Sequence, residues 1–109
     1  MTENISERPV LDTITDLTAV SVERCGLEAD ELILARLAAL AAVDARPISY
    51  LAHVGPSAEA GISVERVQDV LVAIAPIIGT ARVVSAAINI AEALGVAIAV
   101  AEDEAASAG

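Results

Sequence analysis

The stretch LILARLAALAAV, residues 32–43, decides the fold class of this chain. Only Arg36 interrupts its apolar residues, and Asp30 and Glu31 come just before it. Carboxylates in a first helical turn are stabilised by the helix dipole, so a helix begins here. A helix that is apolar on nearly every side is covered by its neighbours. We therefore expect a helix over residues 29–43 at the centre of the fold.

The amino-acid composition favours further helices around this one. The chain has 109 residues, which suits one domain, and 24 of them are alanine. Phe and Trp are absent, and Tyr50 is the only aromatic residue. Alanine has the highest helix propensity and lets neighbouring helices approach closely. The sequence thus predicts an all-α compact bundle of about five to six helices, which associates through apolar helices.

Helix-breaking and capping residues divide the rest of the chain. We expect four further helices, over residues 8–26, 47–60, 64–75 and 81–94. Gly55-Pro56 should kink or break the second of these, and Ser63 should cap the third. Pro76 should end or bend the third helix and Gly95 should stop the last. One domain is therefore expected over 8–101, between a frayed lead-in at 1–7 and an acidic tail at 102–109.

The charge balance excludes several kinds of partner. The net charge is −10, with six arginines and no lysine, which disfavours binding to nucleic acid or to anionic membranes. No charge-free apolar run reaches the ~18–20 residues that span a bilayer, and the N-terminus lacks the pattern of a signal peptide. We expect a cytoplasmic protein with no nucleic-acid or membrane partner. The single Cys25 forms no CxxC motif and is more typical of a small apolar filler than of a reactive thiol.

Two strongly apolar helices, with few charges to cover them, exceed what a chain of this size can bury. The excess predicts a homo-oligomer, with part of the apolar surface in a subunit interface.

Polar chemistry gathers around residues 46–53. Ser49, Tyr50 and His53 lie three or four residues apart, on one helix face, and Arg46 begins the same helix. In a catalytic interpretation His53 is the general acid/base, and Tyr50 polarises or orients the substrate. Arg46 or Arg82 pairs with the substrate carboxylate, and Ser49 helps to bind it. In a simpler interpretation His53 bonds a backbone carbonyl, Tyr50 caps an interface, and the arginines pair with acidic side chains.

A polar stripe runs along the last predicted helix, at spacings of three, four and three residues: Arg82, Ser85, Asn89 and Glu92. We favour a solvated face or an interface network for this stripe over a pocket wall. One histidine without a second ligand at helical spacing predicts no metal site, and no cofactor is expected.

Residues 34–87, LARLAALAAVDARPISYLAHVGPSAEAGISVERVQDVLVAIAPIIGTARVVSAA, resemble the carboxymuconolactone decarboxylase family, which includes the alkylhydroperoxidase D proteins. The shared order is an apolar helix, a helix with a histidine before small residues, a capped acidic helix start, an apolar helix and a glycine opening the last helix. The resemblance implies an alkylhydroperoxidase D-like helical bundle that associates as trimers or hexamers.

The redox motif of the peroxidase branch is missing. Aligned on its C-x-x-C-x-x-x-H pattern, His53 takes the histidine position, while Arg46 and Ser49 replace the two cysteines. A serine hydroxyl cannot replace the thiolate that attacks a peroxide. The decarboxylase branch keeps the histidine without the cysteines, but here Ile77 and Ala81 stand near its usual aromatic and proline positions.

We therefore expect a non-redox, carboxymuconolactone decarboxylase-like oligomer that binds a small apolar or carboxylated ligand near His53. The alternative is an enzyme, a decarboxylase or other lyase or an isomerase acting on a small lactone or acid, with His53 as general acid/base. A thiol peroxidase is disfavoured because both redox cysteines are missing.

Overall fold

The computed structural model of the chain describes residues 8–108, and every regular element in this range is a helix. The predicted all-α class is confirmed. The expected lead-in at residues 1–7 lies outside the described residues. The six helices of the described range are α1 Pro9–Arg24, α2 Ala29–Ala42, α3 Pro47–Leu51, α4 Val54–Glu59, α5 Val64–Ile78 and α6 Thr80–Ala108.

Helix α2 lies at the centre, as its apolar sequence predicts. It packs against α3, α4, α5 and α6. It also contributes half of the eight buried residues: Leu32, Ile33, Leu37 and Ala41. A capping box starts the helix, since the Glu28 backbone N–H donates to Oε1 of Glu31 at 3.0 Å and the Glu28 side chain accepts from the Glu31 backbone.

The break between α3 and α4 comes at Ala52 and His53, just before the predicted site at Gly55-Pro56. In a continuous helix the N–H of residue 56 would donate to the carbonyl of Ala52. Proline has no N–H, and its ring collides with that carbonyl. The chain therefore ends one helix at Leu51 and places Pro56 in the first turn of the next, where no such bond is needed.

Helix α5 begins as predicted and ends later. The Ser63 hydroxyl accepts a hydrogen bond from the Arg66 backbone N–H at 3.2 Å, which confirms the N-cap. Pro76 lies inside the helix, which continues to Ile78. Gly79 then ends it with φ 89°, a backbone conformation that a residue with a Cβ rarely adopts.

The prediction that Gly95 stops the last helix is wrong. Helix α6 continues for 29 residues, through Gly95 and the acidic segment, to Ala108. A glycine inside a helix costs only about 1 kcal/mol relative to alanine. The alanines and glutamates after it have high helix propensity and outweigh it. Residues 101–107 are exposed, so the expected acidic tail is a solvated extension of α6.

The core is thin for a chain with so many apolar residues. No residue of α1 is buried, and Val10 and Leu17 are more than two-thirds exposed. By length and composition, Thr80–Ser107 of α6 could cross a membrane, and only 11% of its most apolar stretch is buried. A helix covered by other protein surfaces meets the same length and composition criterion. Much apolar surface of α1 and α6 is thus left uncovered by the rest of residues 8–108.

Candidate functional site

An apolar cleft of about 310 Å³ opens between the central helix and the second half of the chain. Leu37 of α2 and Leu71 of α5 form its floor, and both are buried. Ile90 and Leu94 of α6 and Val67 of α5 line it from the sides. Among the lining residues only His53 and Tyr50 are ionisable, and none is an arginine, lysine or carboxylate.

The break between α3 and α4 positions His53 at the cleft. Its backbone N–H donates to the Tyr50 carbonyl at 2.9 Å, which ties the two residues together. Its ring Nδ1 lies 2.8 Å from the Ser49 carbonyl oxygen. Because a carbonyl only accepts hydrogen bonds, Nδ1 carries the proton and donates it. In the neutral ring Nε2 is then an acceptor that the Ser49 bond leaves unused.

Tyr50 brings a second polar group to the cleft. Its side chain is 3% exposed, and within residues 8–108 its hydroxyl is the one buried side-chain polar atom without a hydrogen-bond partner. Burial raises the pKa of the phenol, and the negative charge of Asp44 raises it further. The hydroxyl therefore stays protonated at neutral pH and can donate. A buried polar group without a partner costs about 1–3 kcal/mol, so this one requires an explanation.

The structure does not bring the other predicted site residues to the cleft. Arg46 is the exposed residue before α3, and Ser49 contributes its backbone carbonyl to His53. The Nη1 of Arg82 donates to the carbonyl of Ala42 at 2.6 Å, at the C-terminal end of α2. Neither guanidinium lines the cleft, so the predicted pairing of Arg46 or Arg82 with a ligand carboxylate there is not supported.

The polar stripe of α6 holds helices together. The Ser85 hydroxyl donates to the Asp44 carboxylate at 2.6 Å, and Nδ2 of Asn89 donates to the Ala45 carbonyl at 3.0 Å. With Arg82, these bonds join α6 to the turn between α2 and α3, where Asp44 has φ 56°. The network lies within the chain and forms no wall of the cleft.

Sequence reasoning missed three polar residues of the lining. Ser57 donates its hydroxyl to the His53 carbonyl at 2.6 Å, and its position four residues after His53 could have indicated it. Ser63 and Gln68 also line the cleft; the sequence indicated Ser63 only as a helix cap, and nothing local in it distinguishes Gln68 from other surface residues. Cys25 lies elsewhere, half-buried against the core, with its Sγ accepting from the Leu27 N–H at 3.4 Å.

Comparison of the chain with models of protein families, with curated proteins and with solved structures finds no match. The resemblance to the carboxymuconolactone decarboxylase family therefore stays a prediction. What the site can do has to be argued from the cleft itself.

Proposed function

We propose that the chain binds a small, largely apolar and uncharged molecule in the cleft, through one hydroxyl or carbonyl oxygen. The observation that carries this proposal is Tyr50, a residue of the apolar lining whose buried hydroxyl has no hydrogen-bond partner within residues 8–108. Buried polar groups in folded proteins almost always have a partner. A ligand oxygen in the cleft would supply it.

The volume of the cleft limits the size of the ligand. An apolar protein cavity of ~150 Å³ holds a benzene molecule. The cleft, at about 310 Å³, is twice that size and lies at the lower end of the range for ligand sites. A ligand of roughly ten non-hydrogen atoms fits this volume.

The charges around the cleft favour a neutral ligand over a carboxylate. A buried carboxylate needs a cationic partner or several donors, because burial penalises an unpaired charge. The lining residues include no arginine or lysine, and Asp44 is close enough to act on the Tyr50 phenol. Of the two ligand types expected from sequence, the apolar one is therefore the better supported.

Two polar groups give the cleft a preference for a hydroxyl. A ligand hydroxyl can accept from the protonated Tyr50 phenol and donate to Nε2 of neutral His53. Each such neutral bond contributes about 0.5–1.5 kcal/mol, while the hydrocarbon part of the ligand supplies most of the affinity.

The order of helices around His53 supports a place for the chain on the non-redox side of the carboxymuconolactone decarboxylase family. The described part of the cleft contains no thiol, so the chemistry of the peroxidase branch has no nucleophile there. Binding is the activity proposed, and the alternative predicted from sequence, an enzyme with His53 as general acid/base, would use the same imidazole and phenol of the lining.

Isothermal titration calorimetry with octanol and octanoate tests the proposal, since the two probes share a chain length and differ in charge. We expect octanol to bind at least tenfold more tightly than octanoate at neutral pH. His53→Asn is the informative variant, because the Asn amide can keep the bond to the Ser49 carbonyl while Nε2 is removed. Arg82→Met is the matched control, since Arg82 lies away from the cleft.

We expect His53→Asn to weaken octanol binding two- to tenfold and Arg82→Met to leave it unchanged. The carboxylate site predicted from sequence would be reinstated if octanoate bound more tightly than octanol, or if Arg82→Met abolished octanoate binding. If neither octanol nor octanoate bound, the proposal of an apolar ligand site in the cleft would be refuted.

A further inference from the structure

Helix α6 has two apolar faces on opposite sides. The inner face packs against α2, α3 and α5 and contains buried or half-buried residues at alternating spacings of three and four: Val83, Ala86, Ile90, Ala93 and Ala97. The outer face repeats this spacing two positions earlier, which turns it to the opposite side of the helix. We call it the outer seam: Ala81, Val84, Ile88, Ala91, Gly95 and Ile98, all of them exposed.

A regular 3-4 repeat of apolar residues is the pattern of a helix that packs along another helix. The chain already uses this pattern on the inner face. Val84, Ile88 and Ile98 of the outer seam are each more than half exposed, and no helix of the described range covers them.

Gly95 is the second sign of a helix partner on this face. A Cβ at this position would meet nothing within 4 Å, so packing within the chain does not require a glycine there. Glycine in a helix interior is unfavourable and marks a close approach of another backbone. A backbone that approaches Gly95 closely would therefore come from outside the described residues.

The surface area of the chain fits this interpretation. A compact monomer of 11.0 kDa exposes about 5,600 Å². This chain exposes 7519 Å², roughly 1,900 Å² more, and its radius of gyration is 16.0 Å against about 13 Å for a compact domain. A standard interface buries about 800 Å² on each partner, so the excess of the chain as a whole is larger than one such interface would cover.

We propose that the outer seam pairs with the outer seam of a second copy of this chain, with the two α6 helices antiparallel. In an antiparallel pair each layer of the seam joins one large and one small residue, namely Ile98 with Ala81, Val84 with Gly95, and Ile88 with Ala91. Alternating large and small residues in this way fills an interface without voids. A parallel pair would instead place Ile88 against Ile88 and Gly95 against Gly95.

Charge also favours the antiparallel arrangement. Arg82 begins α6, while Glu102, Asp103 and Glu104 lie near its other end. Antiparallel pairing keeps the two acidic ends apart, and it opposes the two helix dipoles. Parallel pairing would gather six carboxylates at one end.

The outer seam runs past the cleft, because Ala91 belongs to both. The partner's helix would therefore lie along the α6 side of the cleft and shield it from solvent. This consequence rests on the proposed function, whereas the interface does not.

Sedimentation equilibrium of the full chain tests the association. We expect the mass of two chains for the wild type, or of six where three such pairs associate as the family resemblance implies. For Ile88→Gln we expect a dissociation constant of the pair roughly a hundredfold higher, because the change removes an apolar contact from both copies. The matched control is Ile48→Gln on α3, whose isoleucine is 69% exposed against 61% for Ile88. Far-UV circular dichroism confirms that both variants stay helical.

Disulfide cross-linking tests the orientation. In a Cys25→Ser background, Val84→Cys and Gly95→Cys are made separately, mixed and oxidised. Antiparallel pairing predicts a cross-link between the two variants and none within either alone, because copies of one position lie about 16 Å apart along the axis. Octanol binding is also measured on the Ile88→Gln and cysteine variants. A variant that loses the dimer and still binds octanol then separates the interface from the ligand site.

The proposal would be overturned by a monomeric wild type, or by a wild type that inserts into phosphatidylcholine vesicles and does not dimerise. Equal dissociation constants for Ile88→Gln and Ile48→Gln would also overturn it. So would self-linking of Val84→Cys alone. The proposal would be established by a cross-link between Val84→Cys of one copy and Gly95→Cys of the other, in a dimer that Ile88→Gln weakens.

Discussion

Tyr50→Phe should make the ligand-free protein more stable, although it removes a hydrogen-bonding group. The Tyr50 ring is buried and phenylalanine keeps its shape, so the packing against Leu32, Ile33 and Leu37 is retained. The hydroxyl has no partner in the described structure, so its desolvation is uncompensated. Removing it should raise the free energy of unfolding by about 1–2 kcal/mol. For a domain of this size that raises Tm by roughly 5–10 °C.

Urea denaturation followed by far-UV circular dichroism measures this change. Stabilisation should appear as a higher midpoint with an unchanged m-value. Because dimerisation itself stabilises the folded chain, the comparison is made at one protein concentration and repeated in the Ile88→Gln background. The same Tyr50→Phe variant should bind octanol two- to tenfold more weakly, since the ligand loses its donor.

A less stable Tyr50→Phe variant would refute this reasoning. It would mean that the hydroxyl makes a stabilising hydrogen bond in the free protein, for example to a water held in the cleft. The free hydroxyl would then give no argument for a ligand oxygen. Stabilisation combined with weaker binding is the pattern expected of a residue that is kept for function and lowers stability.

Four further predictions concern the surroundings of Tyr50 and the helix ends. Tyr50 is the one tyrosine of the chain, so the tyrosinate absorbance measures its pKa, which should lie above the usual 10.0. Asp44→Asn should bring this pKa only part of the way back, because burial is the larger cause of the shift. The unfolded phenol releases its proton near pH 10 and the folded one at higher pH, so unfolding in this pH range releases a proton. The free energy of unfolding should therefore fall as the pH rises above 10 in the wild type, and this fall should be absent in Tyr50→Phe. Arg82→Met should lower the free energy of unfolding by about 1 kcal/mol in urea denaturation, because the Ala42 carbonyl at the end of α2 loses a charged donor; an unchanged midpoint would contradict this. Ser63→Ala should cost a similar ~1 kcal/mol through loss of the α5 cap, and Ser63→Gly only a few tenths.

Local patterns predicted the helical fold well. Three features depend on interactions within a few residues, and the local sequence therefore predicts them. They are the apolar run of α2, the Ser63 cap and the break that Pro56 causes before α4. The end of α6 was predicted wrongly, because a single glycine competes with the summed propensity of the residues after it. Propensity acts over a whole segment, so Gly95 could end the helix only if the next residues also disfavoured one.

The candidate site was predictable only where near neighbours in the chain determine it. Tyr50 and His53 were predicted on one helix face, but α3 ends at Leu51; the bond from the His53 N–H to the Tyr50 carbonyl holds the two together, and both line the cleft. Arg82 was assigned to the same site on chemistry alone, and its position depends on how α6 crosses the end of α2. Such a crossing is set by long-range packing, which no local pattern contains.

The cleft and the outer seam have a common physical origin in the composition of the chain. Three of the eight buried residues are alanines: Ala41, Ala86 and Ala93. Alanine at a helix contact allows close approach but removes little apolar surface from water, so each contact stabilises the fold less than one made by leucine or phenylalanine. A chain without Phe or Trp cannot fill the space between divergent helices, and the cleft beside Tyr50 stays open. Val84, Ile88 and Ile98 instead lie exposed on α6, where a second surface can cover them. Association and ligand binding would then supply the apolar burial that the single chain lacks, and each should raise its stability.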